Sequence, residues 1–131
     1  MIEFTHNFTG YHNITLECSG HAGFAEAGHD VVCAAASALM VAAIEALGRY
    51  PDARLTVDAR DGYCLIRCVY TPETAAVARV TVCGFEWLAR QATGYVSCRR
   101  RTRAVNAERI AKRREALKNS DAPLHPDGGS V

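Results

Sequence analysis

Two histidines and a cysteine, His21, His29 and Cys33, stand within thirteen residues of a 131-residue chain. Imidazole and thiol are the pair with which a cysteine hydrolase makes an acyl-enzyme: the ring takes the thiol proton and the sulfur attacks a carbonyl. Asp30, between them, is a natural helix N-cap, because its carboxylate accepts from the free N–H groups of a first turn. That cap puts Cys33 at the third helical position, near the positive end of the helix dipole, which favours thiolate over thiol. The negative charge of Asp30 works the other way, so the dipole alone is not enough. An imidazolium within reach would complete the ion pair.

Either histidine could supply it. His29 is four residues before Cys33 but falls outside the helix, so helical spacing does not make it face the thiol. His21 directly follows a strand, and a loop returning to the helix start brings a strand-anchored base beside Cys33. His21 is therefore preferred. The plain alternatives are a small core cysteine in an alanine-rich helix and an exposed loop histidine. Cys64 and Cys68 share one face of a strand, but no second close pair completes a tetrahedral metal set. No metal and no cofactor is expected.

These groups depend on the elements around them. Ile2, Phe4, His6 and Phe8 alternate with polar residues, and Ile14, Leu16 and Cys18 resume the pattern after a turn, so residues 2–8 and 13–19 predict a hairpin. The segment Ser19 to Gly28 is loop, and Gly20, Gly23 and Gly28 make it flexible. Residues 31–47 predict a helix that is apolar nearly all round, with both faces covered and a stop at Gly48. Residues 55–59 and 63–70 predict a second hairpin across Arg60-Asp61-Gly62. Thr71-Pro72-Glu73 opens a second helix reaching about Arg90, in which the Cys83-Gly84 step is close packing. Residues 95–99 predict a last strand. The fold class is α+β, order β-β-α-β-β-α-β, with a small mixed or antiparallel sheet and two helices.

About half the chain is apolar and under a quarter is charged, as in a globular protein. The longest uncharged run, Val31 to Ile44, is fourteen residues and too short to span a bilayer. No secretory signal opens the chain, so the six cysteines are expected as free thiols in a cytoplasmic protein. Residues 1–98 carry six arginines against ten carboxylates, a net charge of −4; residues 99–131 carry nine basic and four acidic residues, a net charge of +5. The acidic body suits a cationic peptide, and the basic tail offers a weak RNA contact. Residues 1–101 are expected to form the domain. Residues 102–131 form the tail, with a basic helix from Arg103 and a Pro- and Gly-rich, disordered end.

The segment Gly20-His21-Ala22-Gly23-Phe24, then Gly28, then Asp30-Val31-Val32-Cys33-Ala34-Ala35 with Ser37 following, closely resembles the Prp-type ribosomal-processing cysteine proteases. The resemblance covers about residues 1–100. It implies an α+β fold, dimerisation, His21 as base and Cys33 as nucleophile, with Asp30 and Ser37 at supporting motif positions. The implied activity removes an N-terminal extension from ribosomal protein L twenty-seven, so the implied partner is a basic N-terminal ribosomal peptide. The tail departs from the family's compact pattern.

The function expected is thus that of a cytoplasmic cysteine endopeptidase, with oxyanion donors at the start of the first helix. The rivals are a ribosome-associated binding module, with Cys33 as packing, and a redox-responsive thiol protein. A first helix that the remaining elements are too few to cover predicts a homodimer. The glycines of the 20–29 loop predict a segment that closes on substrate, with Ala22, Ala25 and Ala27 giving it little anchorage.

Overall fold

The computed structural model describes residues 1–9, 13–26, 28–101 and 103–118. Five strands form one sheet: β1 (Ile2–Thr9), β2 (Asn13–Ser19), β3 (Thr56–Arg60), β4 (Tyr63–Val69) and β5 (Val96–Arg100). Their order across the sheet is β3-β4-β2-β1-β5, with β1 and β5 parallel and every other pair antiparallel. The helices are α1 (Val31–Leu47), α2 (Pro72–Gln91) and α3 (Arg103–Lys118). The architecture is the α+β one expected, with a mixed sheet. A short 3-10 turn at Pro51–Ala53, absent from the expected order, connects α1 to β3. The basic helix expected from Arg103 is α3, whereas the Pro- and Gly-rich end lies outside the described residues.

Register explains the core. Phe4 pairs with Cys18 and Cys98, and Leu16 with His6 and Ile66, so Ile2, Phe4, Ile14, Leu16, Ile66, Cys68 and Val96 point to one face. All are buried. Phe4 stacks on Phe85 of α2 with ring centroids 3.9 Å apart and planes 3° from parallel. Thr71 caps α2 reciprocally with Thr74, with Pro72 next, as the sequence predicts. The helices approach closely at Gly84, where a Cβ would stand 2.6 Å from Leu39 Cδ2.

α1 buries one stripe, Val32, Ala36, Met40, Ala43 and Leu47. Within a single chain its other face stays open: Val31 and Val41 are 65% and 55% exposed. The reason is architectural, since α1 and α2 form a single layer on the sheet and, among the described residues, Val31 and Val41 lie on that layer's outer side.

On the opposite face of the sheet, Glu17 is buried and pairs with Arg101, which also donates to Thr5 Oγ1 at 2.9 Å. Tyr63 Oη donates to Glu17 Oε2 at 2.7 Å. Among the described residues no helix is long and apolar enough to cross a membrane.

Candidate active site

Asp30 caps α1 as expected, in an extended conformation, and Cys33 takes the third helical position. Asp30 Oδ1 accepts from the N–H groups of Val32 and Cys33, each at 3.0 Å. Its other oxygen reaches back into the preceding loop and accepts from Phe24 N at 3.0 Å and Ala25 N at 3.3 Å. One carboxylate therefore ties the loop to the helix. The Cys33 N–H, joined by those of Ala25 and Phe24, holds the Asp30 carboxyl below its ordinary pKa, against an opposing contribution from loss of water.

The loop also approaches Cys33 through backbone. The Ala22 N–H donates to Cys33 Sγ at 3.4 Å. Ala22 is 4% exposed, so it is an anchor and not the weak point that an alanine in a glycine loop suggests. Cys33 is half-buried, while His21 and His29 are both exposed.

His21 stands just past the end of β2, against the β3–β4 turn. The Gly20 N–H donates to the Gly62 carbonyl at 2.8 Å. Gly20, at φ +93°, passes so close to the Met1 carbonyl that no side chain fits there. The His21 ring lies against Gly62, with Nε2 2.8 Å from where a Gly62 Cβ would be. Among the described residues no hydrogen bond joins the His21 ring to Cys33.

Cys33 lines a groove of about 230 Å³ between α1 and the second hairpin. Ser37 and Met40 of α1 form one wall with it; Gly62, Tyr63 and Cys64 form the other. The expected site residues thus divide. Cys33, Ser37 and Gly20 share the groove, His21 abuts its wall at Gly62, and Asp30 braces the loop from outside. His29, Gly23 and Gly28 lie in the exposed loop and do not line it. The groove wall on the second hairpin escaped sequence reasoning. Its signal was the opposed alternation of Cys18 and Cys64, which sets Ser19 against Tyr63 and so puts Gly62 beside Gly20.

All six cysteines are free thiols. Cys18 and Cys64 are cross-strand partners facing α1. Burial, with smaller contributions from Cys64 and Cys33, pushes the Cys18 thiol up to about 12, and burial raises Cys64 and Cys68 as well. Among the described residues no group of three or more His, Cys, Asp or Glu side chains is arranged to hold a metal ion.

The fold is shared with known proteins. An essential ribosomal processing protease Prp from Staphylococcus aureus, in complex with a covalently linked product peptide, superposes with a TM-score of 0.70 at 22% identity, covering 77% of this chain and all of that one. The same protease with a substrate peptide gives 0.64 at 21% identity and the same coverage. SMU.848 from Streptococcus mutans gives 0.59 at 27% identity, over 79% of this chain and 96% of that one. No curated protein matches the chain. The family described as cysteine protease Prp matches residues 1–97, which contain the capped thiol, the loop and both groove walls. The chain belongs to that family, the cysteine protease Prp family.

Proposed function

We propose that this cysteine protease is a cytoplasmic processing endopeptidase that removes the N-terminal extension of ribosomal protein L twenty-seven, using His21 and Cys33. The observation that carries this reading is the setting of Cys33: third residue of a capped helix, with a backbone N–H on its sulfur, in the wall of an apolar groove. An extended peptide laid in that groove presents its carbonyl to the sulfur. The acidic body attracts the basic N-terminus of a ribosomal protein. The S. aureus relatives, a ribosomal processing protease bound to product and substrate peptides, support the same substrate class.

His21 takes the Cys33 proton, the sulfur attacks the scissile carbonyl, and His21 protonates the leaving amine. Water then hydrolyses the thioester. The expected oxyanion donors at the helix start need revision, because Asp30 already occupies the N–H groups of Val32 and Cys33. The Ala22 N–H, already directed at the sulfur, is the better donor: it passes from thiolate to oxyanion as the S–C bond forms. Asp30 supports the arrangement by holding loop to helix, and Ser37, one turn beyond Cys33, contacts the peptide from the groove wall.

A second copy of the chain covers the exposed stripe of α1 that includes Val31 and Val41. Sedimentation at micromolar concentration showing only a 14.2 kDa species refutes the dimer. The proteolytic reading is tested on a peptide spanning the extension of the host's own ribosomal protein. Wild type cleaves it, while Cys33→Ala and Cys33→Ser do not. Equal cleavage by either variant removes Cys33 from the role of nucleophile.

A further inference from the structure

His21 has no hydrogen bond to Cys33 to hold it in place among the described residues, so something else must fix its ring. The sheet register supplies a neighbour. Ser19 pairs with Tyr63, and the Gly20 N–H extends this ladder onto the carbonyl of Gly62 at 2.8 Å. The backbone on either side of the contact is thereby fastened before the His21 side chain begins. The ring then lies directly against the turn: a Cβ on Gly62 would stand 2.8 Å from His21 Nε2, 3.3 Å from Cε1 and 3.5 Å from Cδ2. Gly62 also has φ +71°, a conformation that side chains other than Asn and Asp rarely adopt. Backbone geometry and ring contact thus select glycine independently.

We infer that Gly62 is a positioning residue for the proteolytic reaction: its bare Cα is the seat that fixes the His21 imidazole at the wall of the groove containing Cys33. The inference rests on the reading of His21 as the base. A side chain at residue 62 displaces the ring by about 1 Å to restore an ordinary carbon–nitrogen contact. A displacement of that size between base and nucleophile lowers turnover by about 10- to 100-fold.

Two substitutions separate the ring contact from backbone strain. Gly62→Ala brings both a Cβ and strain at positive φ. Gly62→Asn brings the same Cβ but tolerates that φ. Each is made in the full-length chain, with and without His21→Ala. The His21 ring signals are followed by NMR through a pH titration, and Cys33 reactivity by iodoacetamide labelling mapped by mass spectrometry. Both Gly62 variants are expected to shift the His21 ring signals. Both are expected to slow peptide cleavage and Cys33 alkylation about 10- to 100-fold, with a larger effect on kcat than on KM. With His21 already alanine, either Gly62 substitution changes alkylation less than about twofold.

A Gly62→Asn chain with wild-type His21 signals overturns the seat. Equal slowing with and without His21 overturns it too, because Gly62 would then act on the groove itself. If His21→Ala alone leaves cleavage unchanged, the base assignment fails, and with it the catalytic part of the inference. The NMR comparison still reports separately whether Gly62 seats the ring.

Discussion

The backbone N–H of Ala22 points at the sulfur of Cys33 from 3.4 Å. The donor is on the loop and the acceptor on the helix, so this hydrogen bond depends on where the loop is held. Asp30 does the holding, through Phe24 and Ala25 on one side and Val32 and Cys33 on the other.

The Asp30 carboxyl is held below its ordinary pKa, chiefly by the Cys33 N–H. A carboxyl depressed in the folded state contributes stability that is complete above its unfolded value of about 3.9 and is lost as pH falls through the folded value. Loop protection in amide exchange is therefore expected to fall below about pH 4, before the sheet unfolds. Asp30→Ala should produce the same loosening at neutral pH and lower the melting temperature by about 5 °C. A loop equally protected in wild type and variant removes the tether.

Gly23 and Gly28 have φ of +67° and +86°, and no described atom lies within 4 Å of a Cβ at either. Alanine there meets no clash, only the left-handed penalty of about 1–2 kcal/mol per residue. The Gly23→Ala, Gly28→Ala double variant is expected to keep the native melting profile, because the penalty is relieved by rearranging the loop alone. It should slow peptide cleavage, because the rearranged loop no longer presents Ala22 and His21 to the groove. Full activity in this variant would separate loop closure from catalysis.

The thiols should differ sharply in reactivity. Burial pushes Cys18 up to about 12 and Cys98 to about 11, and raises Cys64 and Cys68. Cys83 is exposed, and Cys33 carries the Ala22 N–H at the helix start. Iodoacetamide at pH 7.5 is expected to modify Cys33 and Cys83 first, with the other four following only on unfolding. Activity should disappear with Cys33 modification and survive Cys83→Ser. The raised pKa values have the opposite pH consequence to that of Asp30: their stabilisation is complete below an unfolded value of about 8.5 and is lost as pH climbs through the folded values. Early labelling of Cys18 would contradict its burial.

Glu17 and Arg101 form a buried pair on the sheet face away from α1 and α2. Removing one partner leaves a charge without its counterion, at a cost of about 3–5 kcal/mol. Glu17→Gln and Arg101→Met should each be strongly destabilising in urea unfolding, and Glu17→Met combined with Arg101→Met should recover most of the loss. Arg101 lies beyond the family match at residues 1–97, so this pair extends the cooperative fold past the shared sequence.

Local rules made half of the site legible. The Asp30 cap and the position of Cys33 follow from a few adjacent residues, as do Thr71 and Pro72 at the start of α2. The alternation of β1, β2 and β4 likewise marks the core face without reference to tertiary contacts. The contact between His21 and Gly62 is different in kind, because it depends on how β2 registers against β4. Asp61-Gly62 reads as a turn from its dipeptide, but nothing local says what the turn rests against. The outer stripe of α1 is open in one chain for a related reason: hydrophobic periodicity reports what a helix can bury, not which elements arrive to bury it.

The parallel pairing of β1 with β5 has a bearing on synthesis. Ile2 meets Val96 and His6 meets Arg100, so β1 receives its outer neighbour only after β2, β3 and β4 have been made. Hairpins β1–β2 and β3–β4 can close from short segments, but the edge of β1 stays open until translation passes residue 100. At about 5–20 residues per second that interval is roughly 5–20 s. The native sheet is therefore completed late, and a chain still lacking β5 has a thiol and a histidine but no finished edge to its sheet. Competence to cut therefore waits until β5 has been made and has paired with β1.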